Sequence, residues 1–233
     1  DDCIAINYIS DQRVLCTLQA GTGLRLPVVA VGGLKFSLAV PYVSYARATL
    51  SSIVAGSPCA ADPLQPAKAV LSCPRAGGVL LTIQGSNFGQ SGAIVLVGES
   101  ACGSVVHDPA TPHSKLVCAL PPGQGDAKAV LIIQRGGTSS TNSLTLSYAP
   151  CPAGSFPSQA TTTCALCSAG RFAAVAGQPA CLVCEAGFFS ANNGSSLCEA
   201  CEAGKFSNQG SSICDRCSPG FFSNVSGLSL CTP

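Results

Sequence analysis

One short cysteine pattern, Cys-x-x-Gly-x-Phe, recurs five times in the last third of this chain. The copies begin at Cys151, Cys167, Cys184, Cys201 and Cys217, so successive starts lie 16, 17, 17 and 16 residues apart. Self-similarity at such a short period predicts an array of small modules. Because each module is too small to bury a hydrophobic core, covalent bridges or bound metal must hold it together.

Each module also has a closing cysteine, and both zinc and disulfides could use the set. The closing residues are Cys164, Cys181, Cys198, Cys214 and Cys231. Four of them form Cys-x-x-Cys pairs with the next start, which is a spacing typical of zinc ligands. Disulfides are favoured, because four-cysteine zinc sites would leave Cys151 and Cys231 unused and the intervening segments are rich in Ser, Ala and Asn. Disulfides predict an oxidising compartment, extracellular or at the cell surface.

Spacing alone does not determine which cysteines pair. We favour a local scheme in which each bridge closes a loop of about 14 residues and stabilises by roughly 3 kcal/mol. The predicted bridges are Cys151–Cys164, Cys167–Cys181, Cys184–Cys198, Cys201–Cys214 and Cys217–Cys231. The repeated Gly is expected in a tight turn, with positive φ or a close backbone approach. The repeated Phe is expected to pack on the neighbouring disulfide, and a ligand-binding aromatic strip is the less favoured alternative.

Two N-glycosylation sequons lie inside the array, as a secreted surface allows. They are Asn193-Gly-Ser and Asn224-Val-Ser. We therefore predict N-glycans at Asn193 and Asn224.

The modules resemble the ephrin-receptor-like cysteine-rich repeats of large surface proteins. They are also similar to the first, single-disulfide half-module of tumour necrosis factor receptor repeats. The resemblance covers residues 151–233, and that family pairs its cysteines locally, in agreement with the scheme. It implies a region, 150–233, that forms a disulfide-rich rod with little regular secondary structure. Its five repeats are 151–166, 167–183, 184–200, 201–216 and 217–233.

The first 150 residues have a different character. Charges are scarce, β-branched residues are frequent, and short apolar runs such as Val79–Ile83 and Ala129–Ile133 are separated by turn residues. Such runs predict an all-β sandwich, and no helical periodicity of useful length competes. The apolar stretch Pro27–Val43 contains Lys35 and Pro41, so it predicts two strands and a turn rather than a membrane span.

A second internal repeat relates residues 1–46 to residues 47–149. The segment around Leu116-Val-Cys118-Ala-Leu aligns with Leu15-Cys16-Thr-Leu. Each of these cysteines is followed, 30 or 29 residues later, by the Tyr of a Ser-Tyr-Ala element. Residues 1–46 are therefore expected to be the C-terminal half of a domain whose complete copy spans 47–149.

The complete copy contains two recognisable elements, Gly77-Gly-Val-Leu-Leu-Thr-Ile-Gln-Gly-Ser-Asn-Phe-Gly89 and Cys118-Ala-Leu-Pro-Pro. Both resemble signatures of the IPT/TIG family, immunoglobulin-like domains shared by plexins, related receptors and some transcription factors. The resemblance implies immunoglobulin-like β-sandwiches, in which the Gly85–Gly89 bend turns a strand back and Phe88 plugs the end of the core. The repeat then implies bridges Cys3–Cys16 and Cys102–Cys118, and Cys59–Cys73 is left as a third pair.

The ends of the sequence break both repeats. Residues 1–46 lack the front strands of a sandwich, and Cys231 is not followed by the next cysteine that the spacing predicts. We expect an internal piece of a longer secreted or membrane-anchored protein, with no membrane contact by this segment.

Composition constrains the partners. The net charge is +1, which gives nucleic acid or an anionic membrane no electrostatic attraction. Charged residues make up 10% of the chain, against roughly 25–35% on the surface of a typical free domain. Either protein partners or glycans cover an apolar surface, or a general compositional bias lowers charge throughout.

Catalysis finds little support in the sequence. The two histidines, His107 and His113, flank Pro109 and Pro112 in what should be an exposed loop, so a metal site there is not favoured. No Gly-x-Ser-x-Gly elbow occurs, and every cysteine is assigned to a pair. We therefore expect no enzyme activity, no cofactor and no metal.

Three functions remain. The first is a structural extracellular protein that self-assembles, or joins other surface proteins, in a fibre, coat or appendage. Algal and protist surface proteins, such as flagellar hair (mastigoneme) subunits, offer an analogy. The second is a receptor or adhesion ectodomain whose sandwiches bind a partner. The third is a secreted enzyme whose active site lies outside these residues.

Overall fold

The computed structural model of the chain describes residues 4–10, 13–18, 26–28, 31–32, 35–36, 40–43, 45–158 and 162–233. Over these ranges the protein is all-β and contains no helix, which confirms the predicted fold class. The chain divides into two compact units, Asp1–Tyr148 and Ala149–Pro233.

Residues 4–43 form short antiparallel pairs. The strands are β1 (Ile4–Ser10), β2 (Arg13–Thr17), β3 (Leu26–Val28), β4 (Val31–Gly32), β5 (Lys35–Phe36) and β6 (Val40–Val43). β1 pairs with β2, β3 with β6, and β4 with β5. Much of the expected half-domain of residues 1–46 lies outside the described residues, so its boundary remains a prediction.

Residues 49–148 form a sandwich of two sheets. The strands are β7 (Thr49–Ala55), β8 (Ala60–Ala61), β9 (Ala69–Cys73), β10 (Leu80–Ser86), β11 (Ile94–Val97), β12 (Ser100–Ala101), β13 (Gly103–His107), β14 (Lys115–Ala119), β15 (Lys128–Ile133) and β16 (Leu144–Tyr148). One sheet has the order β13-β14-β10-β7 and the other β12-β11-β15-β16-β9-β8. Neighbouring strands are antiparallel except β9 and β16, which are parallel.

The sandwich core follows from period-two alternation along the strands. In β14, Leu116 and Cys118 are fully buried while Val117 between them turns to the outer face. In β16 the same alternation buries Leu144, Leu146 and Tyr148. A one-residue slip of either strand would exchange its two faces, so the hydrophobic pattern fixes the register.

The Gly85–Gly89 bend contributes a side chain to this core. Phe88 is fully buried among the core side chains. A Cβ on Gly85 would lie 2.0 Å from the Thr49 carbonyl oxygen and 2.7 Å from the Phe88 ring, so only Gly fits there. Asn87 has φ of 61° and Gly89 has φ of 87°, which are left-handed conformations that Asn and Gly adopt most readily.

The second unit consists of short two-stranded pairs. The strands are β17 (Ser155–Pro157), β18 (Cys164–Leu166), β19 (Arg171–Phe172), β20 (Leu182–Val183), β21 (Phe188–Phe189), β22 (Glu199–Ala200), β23 (Lys205–Phe206) and β24 (Asp215–Arg216). Each odd-numbered strand pairs antiparallel with the strand that follows it. In the last module a single bridge between Phe222 and Thr232 takes the place of such a pair.

Candidate functional site

Covalent bridges hold the second unit together. Each module closes on itself, through Cys151–Cys164, Cys167–Cys181, Cys184–Cys198, Cys201–Cys214 and Cys217–Cys231. The Cα atoms of these pairs lie 5.6–5.8 Å apart, inside the usual range for a disulfide. These are the pairs of the local scheme, and the two members of every Cys-x-x-Cys belong to different bridges.

The cysteines of the first unit are arranged in two ways. Cys59 and Cys73 are bridged, as the leftover pair was expected to be. Cys16 is disulfide-bonded, whereas Cys3, its expected partner, lies outside the described residues. The predicted Cys102–Cys118 bridge is wrong. Both cysteines are free thiols buried in the sandwich core.

A physical reason for this difference lies in the surroundings of the two thiols. A hydrogen bond with Cys102, together with burial, raises the pKa of the Cys118 thiol above its ordinary value. Disulfide formation needs a thiolate and access to an oxidant, and a neutral buried thiol offers neither. The internal repeat correctly indicated that the two cysteines lie together, but proximity is not sufficient for a bridge.

Backbone hydrogen bonds connect each module to the next. The N–H of the repeated Gly donates to a carbonyl in the following module. The four such bonds join Gly154 to Ala173, Gly170 to Ser190, Gly187 to Ser207 and Gly204 to Ser223, at 2.8–2.9 Å. In the reverse direction, Gly177, Gly194, Gly210 and Gly227 donate to the opening cysteine of the preceding module. The five modules therefore form one continuous hydrogen-bonded ladder.

Alternate modules also touch, at the repeated Gly. A Cβ on Gly154 would lie 2.0 Å from the carbonyl oxygen of Gly194, and Gly170 has the same relation to Gly210. Their φ angles are 82° and 80°, in the left-handed region. Both features that the sequence suggested for this Gly, a positive φ and a close approach, are therefore present in the structure.

The small residue after the repeated Phe is a position that sequence reasoning missed. Ala173, Ser190, Ser207 and Ser223 are all buried, whereas the Phe side chains before them are only half-buried or, at Phe222, exposed. Ser207 Oγ donates to the Phe188 carbonyl at 3.0 Å, which ties the fourth module to the third. The signal was available as an Ala or Ser after Phe in four of the five copies.

Both sequon asparagines are exposed. Asn193 Oδ1 accepts a hydrogen bond from the Ala169 N–H at 3.0 Å, which joins the third module to the second. This bond uses the amide oxygen and leaves the amide nitrogen, where a glycan would attach. Glycosylation of Asn193 and Asn224 remains a prediction.

The histidine segment begins on a strand rather than in a loop. His107 ends β13, and its Nδ1–H donates to the Pro112 carbonyl at 2.9 Å while Nε2 accepts from the Ala93 N–H at 3.3 Å. The backbone thus occupies both ring nitrogens, and neither is free for a metal ion. His113 supplies its carbonyl oxygen to the Phe88 N–H.

The turn after His107 is closed by Asp108. Its Oδ1 accepts from the N–H groups of Ala110 and Thr111, and its Oδ2 lies 2.9 Å from Lys115 Nζ. The hydrogen bond from Lys115, reinforced by those from the backbone, lowers the pKa of the Asp108 carboxyl below its ordinary value. These contacts determine the local structure of the segment.

Part of the outer face of the four-stranded sheet is apolar. The strand register places Val54, Thr82, Val117 and Val106 in one row across all four strands. Val54 and Val106 are 60% and 56% exposed, and Leu80 in the adjacent row is 60% exposed. Contiguous exposed apolar area of this kind marks interaction sites. We name this surface the valine row.

The described residues provide no helix that could span a membrane. The same residues hold no group of three or more His, Cys, Asp or Glu side chains suited to a metal ion.

Comparison with known proteins identifies one domain. A search of curated proteins finds no match to this chain. The sequence model of the IPT/TIG domain matches residues 67–148. Strand β7 precedes this match but pairs with β10 from Thr49 to Ala55, so the sandwich begins before residue 67. The chain therefore carries an immunoglobulin-like IPT/TIG domain, followed by a disulfide-rich stretch of strand pairs.

Proposed function

We propose that this chain is a structural segment of an extracellular protein that assembles into a surface fibre, coat or appendage. The observation that carries the proposal is the ladder of the second unit, in which five disulfide-closed modules are joined without interruption by backbone hydrogen bonds. Under tension, the bridges keep the enclosed residues from extending. This construction suits a mechanical role.

An extracellular location is consistent with the disulfides and with the IPT/TIG domain. The proposal places the protein in the secretory pathway, at the cell surface, with N-glycans on the array and without membrane contact by this segment. The proposal also rests on the resemblance of the modules to ephrin-receptor-like repeats and to tumour necrosis factor receptor repeats. Mastigoneme subunits offer one analogy.

The valine row supports assembly through protein contacts. Its four residues are uncharged, so two copies could approach face to face without like-charge repulsion. The low overall charge, +1, leaves little electrostatic barrier to self-association or to contact with other surface proteins. Nucleic acid is not a partner in this proposal, and neither enzymatic activity nor a cofactor is part of it.

A receptor or adhesion ectodomain is the second candidate. The observation that favours it is the match to the IPT/TIG domain. In this alternative, the exposed face that carries the valine row binds a different protein rather than a second copy of the chain. In that case the cysteine-rich modules would serve as a stalk that sets the reach of the sandwich.

Sedimentation velocity of the secreted chain, prepared without reductant, tests the proposal. We expect concentration-dependent association that Val54→Lys together with Val106→Lys abolishes, because each substitution places a charge on the valine row. Ser51→Lys, at an exposed position of the edge strand β7 outside the row, is the control. A chain that stays monomeric at all concentrations and instead captures another surface protein through the valine row would favour the receptor function.

A further inference from the structure

An open groove runs over the second, third and fourth modules of the array. It encloses about 690 Å³. Its apolar lining comes from Phe172, Leu182, Val183, Phe188 and Leu197. The Leu182 and Leu197 side chains are more than half exposed, and the Phe188 ring is partly exposed, so the lining is open to solvent. Within the described residues, Glu185 is the charged side chain of this lining.

The array itself supplies a comparison for Glu185, because the fourth module has a carboxylate at the equivalent position. There, Glu202 opens a turn that is closed by a hydrogen bond from the Lys205 N–H to the Glu202 carbonyl at 3.1 Å. The turn brings Lys205 Nζ to 2.9 Å from Glu202 Oε2. The hydrogen bond from Lys205 lowers the pKa of the Glu202 carboxyl below its ordinary value.

The third module keeps the turn and the carboxylate but replaces the cation. The Phe188 N–H donates to the Glu185 carbonyl at 3.0 Å, so Phe188 occupies the position of Lys205. In the part of the chain that the structure describes, the Glu185 carboxylate has no ion pair. An exposed aromatic ring and an unpaired carboxylate therefore stand three residues apart on the same turn, at the edge of an apolar groove.

We propose that this groove binds an arginine or lysine side chain of a partner protein. The cationic group pairs with Glu185, in the way Lys205 pairs with Glu202, and lies against the Phe188 ring, whose π face attracts cations. The methylene stem of the partner residue packs on Leu182 and Leu197, since long basic side chains bury their stems along apolar surface. Aliphatic neighbours of the basic residue fill the remaining groove.

The charge of the groove favours a basic partner residue. An acidic side chain would be repelled by Glu185, and a purely aliphatic one would leave the carboxylate without a counter-charge. The site is independent of the proposed assembly, because it uses the second unit alone and neither the valine row nor association of the chain.

Nuclear magnetic resonance of the isotope-labelled 233-residue chain tests the proposal. The probe is the capped tripeptide acetyl-Val-Arg-Val-amide, and its control is the same peptide with citrulline, which has the shape of arginine but no charge. We expect the arginine peptide to shift the signals of Phe188, Leu182 and Leu197 in a saturable manner. The citrulline peptide should bind about three- to fivefold more weakly, as expected for an exposed ion pair with a cation–π contact.

Two variants locate the interaction. Glu185→Gln should lower the affinity for the arginine peptide to that of the citrulline peptide. Phe188→Lys rebuilds the ion pair of the fourth module within the third, so it should occupy the carboxylate and prevent binding. The matched control is Phe221→Lys at the equivalent position of the fifth module, where Ser218 stands in place of the carboxylate, and it should leave binding unchanged.

Equal affinity for the arginine and citrulline peptides would overturn the proposal and leave an apolar groove without charge selection. An absence of saturable shifts at Phe188, or an affinity for the arginine peptide that Glu185→Gln leaves unchanged, would overturn it as well. The comparison of the two peptides uses the unaltered chain, so the test stands even where a variant fails to fold.

Discussion

The carbonyl oxygen of Gly194 lies 2.0 Å from the point that a Cβ on Gly154 would occupy, although the two residues belong to modules separated by a complete repeat. The same relation holds between Gly170 and Gly210, and between Gly187 and Gly227 at 2.1 Å. The repeated glycines of the first three modules are therefore contacts between alternate modules as well as turns. The array is held by interactions among at least three successive modules, not by independent disulfide loops.

This relation predicts that Gly170→Ala destabilises the array more than Gly204→Ala. Both positions have positive φ, 80° and 82°, so both substitutions incur the left-handed backbone cost of about 1–2 kcal/mol. Only Gly170 faces a carbonyl, because a Cβ on Gly204 meets nothing within 4 Å. Chemical denaturation with the disulfides intact should give a lower free energy of unfolding for Gly170→Ala by more than about 1 kcal/mol. Equal losses in the two variants would show that the modules do not depend on this contact.

Reduction should affect the two units differently. The array has short strands and buries few large side chains, so it depends on its bridges, whereas the sandwich has a core of its own. We expect mild reductant to abolish amide-exchange protection in residues 151–233 while β16 and β10 of the sandwich stay protected. Circular dichroism should retain a substantial part of the β signal. Complete loss of that signal under mild reduction would contradict a self-sufficient sandwich core.

Tyr148 should contribute a pH dependence at alkaline pH. Its hydroxyl donates to the Pro121 carbonyl at 2.9 Å, and burial raises the pKa of Tyr148 to about 12 from its ordinary 10.0. The folded chain then holds this proton more tightly than the unfolded chain. Stability that is fully present below pH 10 is therefore lost as pH rises towards 12.

Absorbance titration of tyrosinate checks this prediction. The native chain should show a tyrosine step near pH 12, and Tyr148→Phe should remove that late step. Tyr148→Phe also leaves the Pro121 carbonyl without its donor, at a cost of about 1–3 kcal/mol. A variant that titrates like the unaltered chain would assign the late step to a different tyrosine.

The thiols of Cys102 and Cys118 should be protected in the native state. Because both are buried and the pKa of Cys118 is raised, an alkylating reagent should label neither until the sandwich unfolds. Peptide mapping after alkylation in denaturant, without reductant, should then find both residues labelled. Cys59, which is bridged to Cys73, should stay unlabelled as the internal control. A Cys102–Cys118 bridge in the mapped peptides would show that the secreted protein oxidises this pair.

Much of the fold could be predicted because local sequence encodes it. The repeat of one opening and one closing cysteine in each module favours a local bridge such as Cys151–Cys164, and the alternation in β14 determines which of its residues enter the core. The contact between Gly154 and Gly194 could not be predicted, because it depends on how successive modules stack rather than on any residue nearby in sequence. The thiol state of Cys102 was missed for a related reason, since burial and hydrogen bonding, not spacing, govern its chemistry.

In the candidate site, too, some features are visible in the local sequence and others depend on long-range packing. The sequons and the apolar strands are visible in the sequence, but the valine row requires the register of four strands. The unpaired Glu185 is visible only when the third module is compared with the fourth, where Lys205 forms the ion pair.

Electron microscopy of the native full-length protein, extracted from its source without reductant, tests whether the protein has a structural role. We expect regular filaments or sheets, in which the disulfide-closed modules repeat along the assembly. Dispersed single molecules under the same conditions would contradict a structural role and would favour a receptor or adhesion ectodomain.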